Sequence, residues 1–215
     1  MTSFGRILHW TEKLLWLAAA AMFGVFSYAW LDAAMYQSYA DWSFVRTLSG
    51  QPVSPQQFAR SLIGQSDPLP PPPRFDAPRL EPEETSFSLA RLEIPRLGYS
   101  VMVGEGTDRQ ALAIGVGHIS GTALPGPTGN VGLAGHRDTF FRRLGELKIG
   151  DSLRLRTLVR DYEYTVTGIK IVLPSANEVL ADTGSPSLTL VTCYPLWGIG
   201  AAPERYVVQA TLVPR

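Results

Sequence analysis

The chain has 215 residues, with Lys+Arg 19 balancing Asp+Glu 19, three histidines and one cysteine. Zero formal charge with 18% charged residues argues against a partner that is a nucleic-acid backbone or an acidic polymer. The single cysteine excludes an internal disulfide framework and any CxxC zinc site, while 45% hydrophobic content is enough for a real core.

Leu14 to Leu31 is an uncharged run of 18 residues bounded by Lys13 and Asp32. At 1.5 Å per residue it gives roughly 27 Å as a helix, just enough to span a bilayer. Arg6 and Lys13 precede it and Asp32 and Asp41 come after it, so the positive-inside rule puts the N-terminus in the cytoplasm and the rest outside. Trp10, Trp16, Tyr28 and Trp30 sit near its ends, where aromatic belts are expected. The competing reading is a cleaved signal peptide, with Ser27-Tyr28-Ala29 as a small-x-small site. Both readings export the remainder of the chain, and residues 1–32 are taken as cytoplasmic tip and transmembrane anchor.

Residues 33–84 read as a juxtamembrane stalk and linker. Aromatic and aliphatic positions (Tyr36, Tyr39, Trp42, Phe44, Phe58 among them) suit short amphipathic helices, broken at Ser49-Gly50-Gln51-Pro52. Ser66 to Glu84 then holds 7 prolines in 19 residues, a composition for extended polyproline II that spans roughly 60 Å.

Residues 85–215 form the folded domain. Tyr162 to Val172 alternates apolar and polar, and shorter strand-like runs lie at Ser88–Ile94, Tyr99–Val103, Asn130–Ala134, Ser152–Thr157, Ser187–Thr192 and Arg205–Leu212. Helical pieces are expected around Asp108–Ala113, Thr139–Leu147 and Ser175–Leu180, the last with Ser175 as N-cap. Seven or eight short strands in such a length make a mainly β domain, a closed barrel or a sandwich.

Cys193 ends the strand-like run Ser187–Thr192, and His136 ends the run Asn130–Gly135. A cysteine nucleophile needs a base within reach, and histidine is the usual one. Arg205, opening the last run, offers a donor for the oxyanion of acyl transfer. Each also has a plainer reading: a buried small hydrophobe, a hydrogen-bonded loop histidine, an edge-strand charge. A zinc site of His118, His136 and Cys193 lacks ligand spacing, and Gly115-Val116-Gly117 opens no dinucleotide-binding helix.

Thr189-Leu190-Val191-Thr192-Cys193 resembles the TLxTC signature of sortases, the membrane-anchored cysteine transpeptidases of bacterial surfaces. Gly129 to Leu144, including Ala134-Gly135-His136-Arg137-Asp138-Thr139-Phe140-Phe141, resembles the family's segment around its histidine. Gly117–Gly126 and Leu92–Gly98 are similar to further family segments, and the detail, with Cys-Tyr-Pro, is most like class D. The resemblance implies a closed eight-stranded β-barrel in which Cys193, His136 and Arg205 are catalytic. It implies that Thr192 shapes the substrate pocket, and it places His118 in a matching but non-catalytic loop that touches substrate at most. It also implies action on secreted proteins with a C-terminal LPxTG-like sorting signal and an amine acceptor from peptidoglycan or a pilin lysine. The sequence holds no obvious calcium loop, so neither metal nor cofactor is expected. The expected location is the bacterial cell membrane, single-pass, with the catalytic domain outside. Another envelope cysteine hydrolase or acyltransferase, or an inactive anchored β-barrel binding module, are the alternatives.

Overall fold

The structure, a computed structural model, describes residues 3–64, 89–182, 184–198 and 200–214, with side chains from His9 onward. The expected polyproline spacer and the domain start at Thr85 lie outside these residues. The chain divides into two compact units, Met1–Tyr36 and Gln37–Arg215.

The first unit is the greater part of α1 (Ser3–Leu48), a single uninterrupted helix. It carries the one stretch among the described residues long and apolar enough to cross a membrane, and Leu14, Trp16, Phe23, Phe26 and Trp30 are exposed along it. Asp32 does not end the helix, because one exposed carboxylate costs a helix interior only tenths of a kcal/mol.

The second unit is built on eight strands that close into a barrel: β1 (Ala90–Ile94), β2 (Tyr99–Glu105), β3 (Val116–His118), β4 (Asn130–Ala134), β5 (Ser152–Arg156), β6 (Asp161–Val172), β7 (Ser187–Tyr194) and β8 (Glu204–Leu212). The order around the barrel is β1-β2-β3-β4-β7-β8-β6-β5. β2–β3 and β4–β7 pair parallel and the other neighbours antiparallel. Inward positions alternate as strand geometry demands: Leu92 and Ile94, Val101 and Val103, Val131 and Leu133, Leu153 and Leu155, Leu188 and Leu190, Val208 and Ala210 fill one core. Tyr164 joins them fully buried, and burial pushes its phenol far up from its ordinary value.

Among the described residues of the expected stalk, residues 33–48 and Pro55–Leu62 are helical and part of them is docked. Within the second unit, the last turns of α1 lie on the outer face of β1 and β2. Gln37 Nε2 donates to Ile114 O (2.7 Å), and its Oε1 accepts from Met102 N (2.8 Å). Asp41 pairs with Arg91, whose guanidinium also lies over the Phe44 ring, and Ala40 and Phe44 are buried. α1 ends at Ser49-Gly50, as the breaker residues predict, and α2 (Pro55–Leu62) starts on a Ser54 cap with proline at its first turn. Phe58 of α2 sits edge-on to Tyr39, ring centroids 5.2 Å apart. Phe44 thus meets the barrel at Arg91, while Tyr39 and Phe58 hold the two helices to each other.

The remaining helical expectations come out shorter. α3 (Arg109–Ile114) is capped by Asp108, whose carboxylate accepts from Gln110 N and Ala111 N and is held below the usual carboxylate range by those bonds. Thr139–Leu147 and Ser175–Leu180 contract to single 3-10 turns at Leu144–Glu146 and Asn177–Leu180. Ser175 is not the cap of the latter: Ala176 stands there, with no side-chain hydrogen bond.

Candidate active site

The site lies where β4 and β7, parallel neighbours, reach their C-terminal ends. Ala134 pairs with Val191, and the ladder continues past it, with Gly135 N donating to Val191 O (3.2 Å). His136 and Cys193 are each two residues beyond that pair, so they come level on adjacent chains. On the other side of β7, Cys193 pairs directly with Arg205 of β8. Register therefore makes Cys193 and Arg205 direct neighbours, and His136 follows two residues after the last β4–β7 pair.

They also share a face. Leu188 and Leu190 point into the barrel, so Cys193, an odd number of residues further on, points out. Val131 and Leu133 point in, which gives His136 the outward parity, and Val208 and Ala210 do the same for Arg205. All three are half-buried. Arg205 Nη1 donates to Ala202 O (3.1 Å) and Glu204 O (3.0 Å), which fixes the plane of its guanidinium. The ring of His136 makes no hydrogen bond among the described residues, and the Cys193 thiol is free.

Thr192 has inward parity and is 2% exposed. Its hydroxyl donates to Gly135 O at 2.7 Å, so it stitches the residue before Cys193 to the residue before His136. That bond ties the end of β7 to the backbone just past β4.

His118 occupies a different setting. It is 3% exposed at the end of β3. Nδ1 is 2.8 Å from Glu105 Oε2, and Nε2 is 3.0 Å from Ala123 O and 3.1 Å from Thr122 Oγ1. The Thr122 hydroxyl in turn accepts from Gly132 N of β4 (3.0 Å). Both ring nitrogens are thus engaged within the protein, and the network pins the loop after β3 onto the outer face of β4. Among the described residues no three His, Cys, Asp or Glu side chains converge as metal ligands. The zinc reading of His118, His136 and Cys193 has no geometric support.

An outward thiol paired across strands with an arginine, with a histidine just past the end of the adjoining strand, offers the residue types that covalent acyl transfer uses. The sortase-domain family model matches residues 92–213, which contain the whole row and all but the first two residues of the barrel. The chain belongs to the sortase family. It is 39% identical over 131 residues to sortase D of Bacillus subtilis (strain 168), covering 60% of this chain and 66% of that protein. A Clostridium perfringens sortase D5 transpeptidase superposes with a TM-score of 0.54 at 30% identity, covering 59% of this chain and 79% of that one. Sortase C-1 from Actinomyces oris superposes with a TM-score of 0.56 at 34% identity, over 61% and 77% of the respective chains. The closed eight-stranded barrel with short helices is thus a sortase barrel, as the sequence resemblance implies.

Beyond the three residues singled out from sequence, the site includes two that sequence reasoning passed over. Gly135 supplies the carbonyl and the amide that bind Thr192 and Val191. Arg137 bonds to the loop after Cys193. Their signal was contiguity with His136 inside the family-like segment.

Proposed function

We propose that this chain is a cysteine transpeptidase of the sortase type, most like class D, acting on C-terminal LPxTG-like sorting signals at the outer face of a bacterial membrane. The observation that supports the reading is the direct β7–β8 pairing of Cys193 with Arg205, with His136 just past the end of β4, the parallel neighbour of β7.

The Cys193 thiolate attacks the carbonyl carbon of the signal's threonine. Charge develops on the carbonyl oxygen, and the Arg205 guanidinium, oriented by its bonds to Ala202 and Glu204, stabilises it. The threonine–glycine C–N bond then breaks, and His136 gives its proton to the departing glycine amine. A thioester on Cys193 remains. An incoming amine, from a peptidoglycan peptide or a pilin lysine, attacks that thioester. His136 takes the amine's proton, the new amide forms, and Cys193 leaves as thiolate, so the Cys–His pair returns to its starting state. Splitting amide exchange into two acyl transfers suits sulfur, which is both a good nucleophile and an adequate leaving group.

The apolar stretch of α1 fits a single membrane crossing with the barrel on the extracytoplasmic side, because Arg6 and Lys13 precede the uncharged run. Residues 1–32 are then the anchor and residues 33–84 the connection, of which Gln37 to Leu48 also braces the barrel.

The test is product analysis with the detergent-solubilised full chain and an LPxTG-type peptide, with and without an added amine peptide. The reading expects a new amide product at the expense of hydrolysis when the amine is present. Equal hydrolysis in both arms would make the protein an envelope cysteine hydrolase, and no cleavage in either would make it a binding module.

A further inference from the structure

The residue after His136 reaches across to the loop beyond Cys193. Arg137 Nη1 donates to Pro195 O at 2.9 Å and Nη2 donates to Gly200 O at 2.8 Å. The two carbonyls lie in the connection from β7 to β8, on either side of Trp197, which is 82% exposed. Two further contacts hold the same connection. Leu196 is buried against Gly145, where a Cβ would land on Leu196 Cδ1. Arg205 takes the carbonyls of Ala202 and Glu204.

Of these contacts, only Arg137's comes from the segment that carries His136. The pair is therefore bracketed. On one side the Thr192 hydroxyl ties Gly135 to the residue before Cys193. On the other, the residue after His136 ties Pro195, two residues past Cys193. The first bond alone would let the two chains splay like a hinge beyond it; the second closes the far side. Spanning two carbonyls separately suits a planar guanidinium, whose donors point along fixed and divergent directions. A lysine ammonium carries the same charge on one nitrogen and lacks that span.

We propose that Arg137 is a positioning residue for acyl transfer: by binding the Pro195 and Gly200 carbonyls with one guanidinium, it fixes His136 relative to Cys193. The inference rests on the reading of those two residues as the reacting pair. Arg137 itself touches no reacting atom.

The experiment compares the full chain with Arg137→Ala, Arg137→Lys and His136→Ala, each checked for a cooperative thermal melt. Three quantities are read at one pH: kcat and KM for LPxTG-type peptide cleavage, the rate of Cys193 alkylation by iodoacetamide, and hydrogen exchange of residues 194–204. Arg137→Ala and Arg137→Lys are expected to speed exchange in that segment. Both should lower kcat on the order of 10²-fold with KM little changed, the scale for a misplacement of about 1 Å. Alkylation should fall toward the His136→Ala rate. Should Arg137→Ala fail to melt cooperatively, Arg137→Lys carries the comparison, since it keeps charge and bulk and loses only the span. Wild-type kcat in Arg137→Lys would overturn the proposal in favour of simple charge. Faster exchange with unchanged kcat and alkylation would overturn it as well, leaving a loop staple with no bearing on the pair. If His136→Ala itself leaves cleavage and alkylation unchanged, the Cys–His reading fails and the proposal falls with it. That outcome is distinct, because it appears in the His136 variant whatever Arg137 does.

Discussion

Two histidines stand near each other in sequence, at the ends of adjacent strands, and their surroundings separate them. His118 is 3% exposed, with a carboxylate at one nitrogen and a backbone carbonyl and a hydroxyl at the other. His136 is half-buried at the open strand ends, level with a free thiol and making no ring hydrogen bond among the described residues. The same contrast holds for the polar residues around them. Asn130 and Thr189 are buried under the Asn177–Leu180 turn and bonded to each other and to Val179 O. Cys193 and Arg205, further along the same strands and the next, are left on the accessible row. A buried polar group must have its bonds made by the protein, and a group with its bonds made has little left to offer a substrate. In this barrel the polar groups whose bonds are made within the protein are structural, and the accessible residues beyond the C-terminal ends of β4 and β7 are the ones the proposal makes reactive.

The sharpest way to break that division is to truncate the row. Cys193→Ala removes the nucleophile and should abolish thioester formation and peptide cleavage. His136→Ala should come close to abolishing them, with the thermal melt intact in both. Steady-state cleavage assays alongside calorimetry check this. Arg205→Ala is expected to cost on the order of 10²-fold in kcat, by analogy with deleting an oxyanion donor. A loss seen in KM alone would assign Arg205 to ground-state binding instead.

His118→Ala should behave oppositely. It leaves Glu105, Thr122 and Ala123 without their shared partner, a loss of about 1–3 kcal/mol of stability. Below its melting temperature the variant should cleave peptide at close to the wild-type rate. A catalytic loss as large as that of His136→Ala would dissolve the distinction.

The smallest effect concerns Asp108. Its carboxyl is held low first by the Ala111 amide and then by the Gln110 amide, so its folded value lies below the unfolded one. The capping contribution is therefore complete above the ordinary carboxylate range and is lost as pH falls through the depressed value. Melting temperatures of wild type and Asp108→Ala should differ slightly at neutral pH and converge in acid.

Much of the barrel was legible because half-buried strands carry period-two patterns. Asn130–Ala134 matches β4 end to end, and Tyr162–Val172 misses only the first residue of β6. β3 was not legible. It has three residues, too few for a period to register, and its Gly117 breaks the apolar pattern because a Cβ there would collide with the Gly106 carbonyl. The docking of α1 was equally hidden. Its apolar positions suited any amphipathic helix, and only the Gln37 bonds to Ile114 and Met102 tell which surface it meets.

For the site, the motif around Cys193 named the residues, but spacing did not place them. A separation of twelve positions from Cys193 to Arg205 fits many geometries; the β7–β8 register makes them direct neighbours. The resemblance assigns Thr192 to a substrate pocket, and nothing in its spacing announces the bond from its hydroxyl to Gly135 O. Arg137 gave no sign of its two carbonyl partners, because they lie 58 and 63 residues away.

The central claim, that the strand-end row and not the buried network does the chemistry, is tested most directly by intact-mass analysis of the full chain after incubation with an LPxTG-type peptide. Wild type and His118→Ala should each gain one acyl adduct, mapped to Cys193 and discharged by added amine, while His136→Ala gains almost none. An adduct that persists in His136→Ala and vanishes in a folded His118→Ala, or one that maps away from Cys193, would contradict it.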